Sequence, residues 1–278
     1  YDALISLKNR ISMKIEVLRR REVLFKFMLR QAVKPGSVFI DIGSDDGIET
    51  ITALKASKGK LDVFLIEPDQ INLFNARQNI QRHTKKHASK VHYLNCAVSN
   101  KTGKGTFFRS PDAPHLNSVT PTREGQVPIE TDFITVEDLI RNNGIESPVV
   151  IKMDIEGHEV EVLHGAIRVL HQMSGIKILV EVHPVFYTSD HSLSEILEIL
   201  FKGGFRVSLL ESAGLPVPFK FREQGLKPTR VIGSRGLYTN VPEDIVLDLA
   251  CREHIDVTSY PPWFTRKIVR SILLEKNH

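Results

Sequence analysis

The chain has 278 residues, 41% of them hydrophobic and 25% charged, and a formal net charge of +4. That composition is of a globular protein with material for one large α/β domain, and the mild basic excess gives no reason to expect a nucleic-acid partner. No run of about 18 apolar residues occurs, which argues against a membrane-spanning helix, and Cys96 and Cys251 form no metal-ligand spacing, so a reducing, cytoplasmic setting is expected and no zinc site.

Taken in order, residues 11–33 carry apolar side chains at helical intervals and stop at Lys34-Pro35-Gly36, a turn signal. Short apolar runs then alternate with helical patterns. VFIDI (38–42) reads as strand one, GIETITALKAS (47–57) as a helix, LDVFLIE (61–67) as strand two, and DQINLFNARQNIQRH as the next helix. VHYLNCAV (91–98) is strand three, GTFFR (105–109) a hairpin or extension, and 110–130 a long Pro/Ser/Thr-rich loop in which His115, Asn117 and Arg123 are candidates for a lid. PVVIKMD (148–154) is strand four, IKILVEVH (176–183) strand five, FRVSLLE (205–211) strand six, and GLYTNV (236–241) an antiparallel last strand, because a loop rather than a helix leads into it. Strands alternating with helices predict a Rossmann-like three-layer α/β sandwich with a mostly parallel seven-stranded sheet.

In such sheets the ligand lies beyond the carboxyl ends of the strands. The loop after strand one reads Asp41-Ile42-Gly43-Ser44-Asp45-Asp46-Gly47, which is not the G-x-G-x-x-G of a dinucleotide fold. Asp41, Asp45 and Asp46 would repel a pyrophosphate and attract a ligand bearing an ammonium and a sulfonium, which describes S-adenosylmethionine. Gly43 and Gly47 allow close backbone approach, and Glu67, with Pro68 after it, closes strand two where a carboxylate can accept both ribose hydroxyls. Asn95, Cys96 and Ala97 end strand three and would flank the adenine. A solvated acidic turn is the plain alternative for the first loop.

These segments carry a resemblance. VFIDIGSDDGIET, LIEPD, NCAVSN, ITVEDLI, VVIKMDIEGHEVEVLHGA and ILVEVHP stand in the order and spacing of the FkbM-type methyltransferases, over about residues 32–185. The resemblance implies the class I methyltransferase fold and methyl transfer to a hydroxyl of a sugar, lipid glycan or macrolide. Such proteins commonly read G-A-N-x-G in the first loop, so Asp45 is an added negative charge. The chain then divides into an N-terminal helical segment (1–35), a Rossmann-like methyltransferase domain (36–241) and a C-terminal helical tail (242–278).

At the acceptor end, Asp154 and Glu156 share a face if the strand persists, and Glu181 and His183 follow by the same period of two. Glu159 reads as a charge favouring the next helix's N-terminus, and His158 and Glu161 as solvated. Two ways of activating a hydroxyl stay open: His183 as a base, or Mg2+ or Mn2+ held by Asp154, Glu156 and Glu181. Lys220, Arg222, Lys227, Arg230 and Arg235 on the 216–235 loop would meet an anionic or phosphate-linked glycan acceptor. The tail, with Trp263, Phe264, Ile268, Ile272 and Leu273 beside Arg266, Lys267 and Arg270, reads as a basic amphipathic helix. It would lie on a membrane surface, on the domain, or on a second subunit of a homodimer. Competing functions are a nicotinamide-dependent oxidoreductase and a non-catalytic glycan-binding module.

Overall fold

The structure is a computed structural model, and it describes residues 22–84, 90–188, 191–214, 218–252 and 267–276. Helix α1 (Val23–Ala32) leads into β1 (Val38–Ile42), followed by α2 (Ile48–Ala56), β2 (Asp62–Ile66), α3 (Gln70–His83) and β3 (Val91–Leu94). A small unit follows: β4 (Ala97–Val98), β5 (Gly103–Arg109) and β6 (Val127–Ile134). The chain returns through α4 (Val136–Asn142), β7 (Val149–Met153), α5 (Glu159–Gln172), β8 (Ile176–Glu181), α6 (Leu193–Lys202) and β9 (Arg206–Ser212). It finishes with α7 (Pro218–Glu223), β10 (Arg230–Ile232), β11 (Arg235–Thr239), α8 (Glu243–Ala250) and β12 (Val269–Lys276).

The main sheet runs β10-β11-β9-β12-β8-β7-β1-β2-β3. Strands β3, β2, β1, β7 and β8 pair in parallel, and β12 is antiparallel to both of its neighbours. The order reverses at β1, which has β2 on one side and β7 on the other, so a crevice opens beyond their carboxyl ends. Alternation along the strands builds two cores. Ile40, Ile42, Phe64 and Ile66 face one side with α4, α5, α6 and α8, whereas Phe39, Val63 and Leu65 face the other with α1, α2 and α3.

Local chemistry fixes several helix starts. The Asp69 carboxylate accepts from the N–H groups of Ile71 and Asn72 to cap α3, Thr135 caps α4 through Asp138 N, and Ser192 caps α6. Helix α6 ends in Gly203 and Gly204, the latter at φ +91°, as its glycines predict.

Four details differ from the sequence reading. The main sheet has nine strands among the described residues, and GLYTNV forms β11, which is antiparallel but lies near the sheet edge with β10 outside it. Residues 91–98 split into β3 and β4, because Asn95 breaks the run and donates its amide to the carbonyl oxygens of Glu67 and Pro68. The expected tail helix is replaced over 269–276 by β12, inserted between β8 and β9 with Val269, Ile272, Leu273 and Leu274 buried. The N-terminal helix is described only as α1; residues 11–21 and Trp263, Phe264 and Arg266 lie outside the described residues.

Candidate active site

The crevice is a cleft in two joined halves, of about 540 and 860 Å³, sharing Gly43, Asp45, His115, Asp154 and Glu156 as walls. The first half has apolar walls from Ile42, Ile66, Ala97, Val98 and Phe107, with Glu67, Pro68 and Cys96 beside them. Burial pushes the Cys96 thiol up to about 11, so it stays neutral at the wall. Glu67 is 4% exposed, and its two oxygens accept from the N–H groups of Asp45 and Asp69, each at 3.0 Å. Burial outweighs those hydrogen bonds and lifts the carboxyl to about 8. A carboxylate has about four lone-pair sites, so two remain for hydroxyl donors in the cleft.

Gly43 shows why this loop needs glycine. It sits at φ +72°, and a Cβ there would stand 2.3 Å from the carbonyl oxygen of Asp154. The loop therefore lies flat against the end of β7. Asp45 follows in the left-handed region at φ +46°, which Asp tolerates better than most residues, and lines both halves of the cleft. Burial and then the neighbouring Asp46 raise its pKa.

Asp41 does something other than the sequence reading expects. It is fully buried, accepts from Thr50 Oγ1 at 2.6 Å, and faces Lys152 Nζ at 3.2 Å. Lys152, also buried, donates to Gly43 O at 2.6 Å. Burial pulls the Lys152 pKa down, but the charges of Asp41, Asp154 and Glu49 more than reverse this, so the ammonium stays charged. Asp41 thus braces the loop and its charge is balanced, while Asp45, Asp154 and Glu156 are the carboxylates common to both halves of the cleft. Ser44, Gly47 and Asn95 are likewise absent from the cleft walls: Ser44 is buried, Gly47 starts α2 against Ala76 and Ile80, and Asn95 holds the β2 end.

At the other end, His183 follows β8 and its side chain is 5% exposed. Its Nδ1 meets Glu159 Oε1 at 2.8 Å, and its Nε2 faces Asp154, Glu156 and Glu181 at 3.9, 3.6 and 3.7 Å. Glu159 is fully buried and also accepts from Tyr187 Oη at 2.9 Å, while that hydroxyl accepts from the His183 N–H at 2.9 Å. Burial lowers the His183 pKa, but Glu159 and the other carboxylates overcome it and raise it to about 9. Burial also raises the Glu156 carboxyl, to about 7, and lifts Asp154, whose rise is reinforced by the charge of Glu181. Glu156 sits at φ +52°, a costly conformation for a side chain of its size, held next to Gly157, where a Cβ would collide with Phe186.

Glu181 is read differently by the structure than by the sequence. Its Oε1 accepts from Lys267 Nζ at 2.7 Å and its Oε2 meets Arg270 at 3.1 Å, both from the β12 segment. These cations outweigh burial and hold its carboxyl far below the usual range. It is committed to an ion-pair network and is a poor metal ligand. The three groups that converge are Asp154, Glu156 and His183.

Sequence reasoning missed Glu159 and Tyr187 as the supports of His183, and Lys152 as the partner of Asp41. His158 and Glu161 were expected in solvent. Instead His158 is 8% exposed with Nε2 at 2.8 Å from Ser99 Oγ, and Glu161 faces His158 and His191. His115 and Asn117 line the cleft and Arg123 does not. Their loop is pinned, since the Gln126 amide bridges Ser110, Leu116 and Ser118 while accepting from Thr122 and Arg123. None of the five cations expected to meet an anionic acceptor lines either half: Arg235 pairs with Glu211, and Arg230 stacks over Phe27 behind the sheet.

A parallel sheet reversing beside an acid-floored, nucleoside-sized cleft, with an antiparallel strand set between its fifth and sixth members, defines the Rossmann-like class I methyltransferases. Residues 41–207 match the methyltransferase FkbM domain, and the chain belongs to that family. Hexuronic acid methyltransferase AglP of Haloferax volcanii is 28% identical over 170 residues, 61% of this chain and 65% of AglP, so the match spans just under two thirds of that relative. 31-O-demethyl-FK506 methyltransferase FkbM of Streptomyces tacrolimicus is 27% identical over 204 residues, 63% of this chain and 75% of its own. 2-O-methyltransferase NoeI of Sinorhizobium fredii is 28% identical over 183 residues, 58% and 72% respectively. Among the described residues no helix is long and apolar enough to cross a membrane.

Proposed function

We propose that this protein is an S-adenosylmethionine-dependent O-methyltransferase whose acceptor is a hydroxyl of a sugar or glycan. The observation that carries the reading is the adjacency of the two halves, apolar walls and Glu67 in the first meeting the second at Asp154 and Glu156, with His183 packed behind those two carboxylates. The residues fit the cofactor. Ile66, Ala97, Val98 and Phe107 suit the adenine, Glu67 the ribose hydroxyls, and the acidic floor a cation; the backbone at Gly43 admits close approach. When bound, S-adenosylmethionine supplies an electrophilic methyl carbon on a positively charged sulfur. Asp45, Asp154 and Glu156 favour that charge over a diphosphate, which is why a nicotinamide dinucleotide fits worse. The acceptor oxygen is held in line at the shared wall of the two halves, where alignment itself provides much of the rate. With the cofactor bound, the proton of the acceptor hydroxyl would leave through the Asp154–Glu156–His183 end of the cleft, directly or by way of water.

The names of the relatives support the reading, since 31-O-demethyl-FK506 and 2-O-methyltransferase name oxygen acceptors and hexuronic acid names a sugar acid. The test is incubation of the protein with methyl-labelled S-adenosylmethionine and a panel of neutral, uronic-acid and phosphate-linked glycans. Transfer to a hydroxyl oxygen, giving a methyl ether located by mass spectrometry, supports the reading. Binding of NAD but not S-adenosylmethionine in calorimetry would revive the oxidoreductase, and cofactor binding with no transfer to any acceptor the glycan-binding module.

A further inference from the structure

One ligand atom each of Asp154, Glu156 and His183 lies within 4.8 Å of the others; the two carboxylates line both halves of the cleft and the imidazole sits buried behind them. Among the described residues the carboxylate oxygens facing His183 Nε2, from Asp154, Glu156 and Glu181, stand 3.6 to 3.9 Å away, within ion-pair range but beyond the 3.2 Å of a formed hydrogen bond. A buried imidazole, its side chain 5% exposed, thus turns this nitrogen toward the Asp154 and Glu156 carboxylates without closing a hydrogen bond to either. Its other nitrogen is fixed by Glu159, which Tyr187 fixes in turn. With Glu159 accepting the proton on Nδ1, Nε2 is the nitrogen that faces the cluster, and a cation bound there would displace the Nε2 proton. That buried carboxylate behind a histidine is how metal-bound imidazoles are oriented. The left-handed backbone at Glu156 turns its carboxylate to the same point at a conformational cost, which a ligand would offset.

From this geometry we infer a divalent-cation site formed by Asp154, Glu156 and His183, which takes Mn2+ in preference to Mg2+ and presents its open positions to the acceptor. The preference follows from the donors, because an imidazole nitrogen beside two carboxylates suits a first-row ion better than an all-oxygen one. Glu181 is outside the set, since Lys267 and Arg270 occupy its oxygens. The inference deepens the methyltransferase reading and rests on it for the role of the ion: a cation held by Asp154, Glu156 and His183 would lower the pKa of an acceptor hydroxyl beside it, so that the hydroxyl proton could leave through water.

The whole chain, stripped with chelator, is titrated with Mn2+ alone and followed by electron paramagnetic resonance. One Mn2+ per chain is expected, and spin-echo modulation on the unmutated protein should show one directly bound nitrogen. Glu156→Gln and His183→Gln should each weaken Mn2+ at least tenfold. Glu159→Gln, a positioning change, should weaken it about 10- to 100-fold. Glu49→Gln, on the same half of the cleft, should leave it unchanged. Absence of the nitrogen coupling, unaltered affinity in Glu156→Gln, or methyl transfer unaffected by chelator overturns the site. S-adenosylmethionine calorimetry without metal reports separately on the methyltransferase reading, so Mn2+ bound by these residues with no cofactor binding would sink that reading and leave the cation site standing.

Discussion

Replacing Lys152 with Met removes one half of a buried ion pair and, with it, the hydrogen bond its ammonium donates to Gly43 O. Lys152 and Asp41 have side-chain exposures of 2% and 0%, with Nζ and Oδ1 3.2 Å apart. At an effective dielectric of about 20 that separation corresponds to roughly 5 kcal/mol of attraction, most of which offsets the cost of burying both charges. In Lys152→Met, Asp41 keeps the Thr50 hydroxyl on Oδ2, while the buried Oδ1 loses the ammonium that faces it. The expected loss is about 3–5 kcal/mol, a large share of the roughly 5–15 kcal/mol that holds a domain folded. Asp41→Asn in the same chain removes the stranded charge, so the double variant should be more stable than Lys152→Met by at least about 1 kcal/mol. Urea unfolding at pH 7, monitored by fluorescence and circular dichroism, gives the three differences. A single variant that unfolds within about 1 kcal/mol of the parent would show that Asp41 is not balanced by Lys152, and with it that the first loop is not braced in this way.

Glu67 makes cofactor binding depend on pH. Its folded pKa of about 8 lies above the ordinary 4.5, so it is mostly protonated at neutral pH in the free protein. Ribose hydroxyls donate to the ionised form, so binding should release a proton and tighten as pH climbs through 8; calorimetry in buffers of different ionisation enthalpy reads the proton, and Glu67→Gln should abolish both effects. The same sign applies to stability, where the contribution of this neutral carboxyl is full below about 4.5 and is lost as pH rises through 8. Gly43→Ala places a methyl 2.3 Å from the Asp154 carbonyl at φ +72°, and calorimetry should find S-adenosylmethionine binding weakened more than tenfold. Tyr187→Phe takes away a donor to Glu159 and an acceptor from His183, costing about 1–3 kcal/mol in urea unfolding and lowering kcat with little change in the KM for cofactor.

The features legible in the sequence are those whose cause is local. Strands β1, β2, β7 and β8 announced themselves as short apolar runs, and Gly43 and Glu67, singled out in the sequence, lie on the walls of the crevice. Glu159 was read as a helix-end charge because its first turn is visible in sequence, whereas His183 and Tyr187 come from beyond β8, 24 and 28 residues away. Asp41 was taken for a ligand because its partner, Lys152, lies in the neighbouring strand, far along the chain. Strand β12 was taken for a helix for a different reason. A strand buried on both faces is a continuous apolar run, and Ile272, Leu273 and Leu274 in sequence look the same on a helix and in the middle of a sheet.

The position of β12 has a consequence for how the molecule is made. The strand latest in this sequence is an inner one, wedged between two that a ribosome delivers much earlier. Until it emerges, β8 and β9 face each other across a gap, each with a naked edge able to recruit foreign chains. Lys267 and Arg270 arrive with it, so Glu181 waits without its cations over the same interval. Synthesis of the acceptor end and closure of the sheet are therefore one event, and a nascent polypeptide halted before residue 267 would carry the cofactor-facing strands but neither a sealed core nor a settled charge balance.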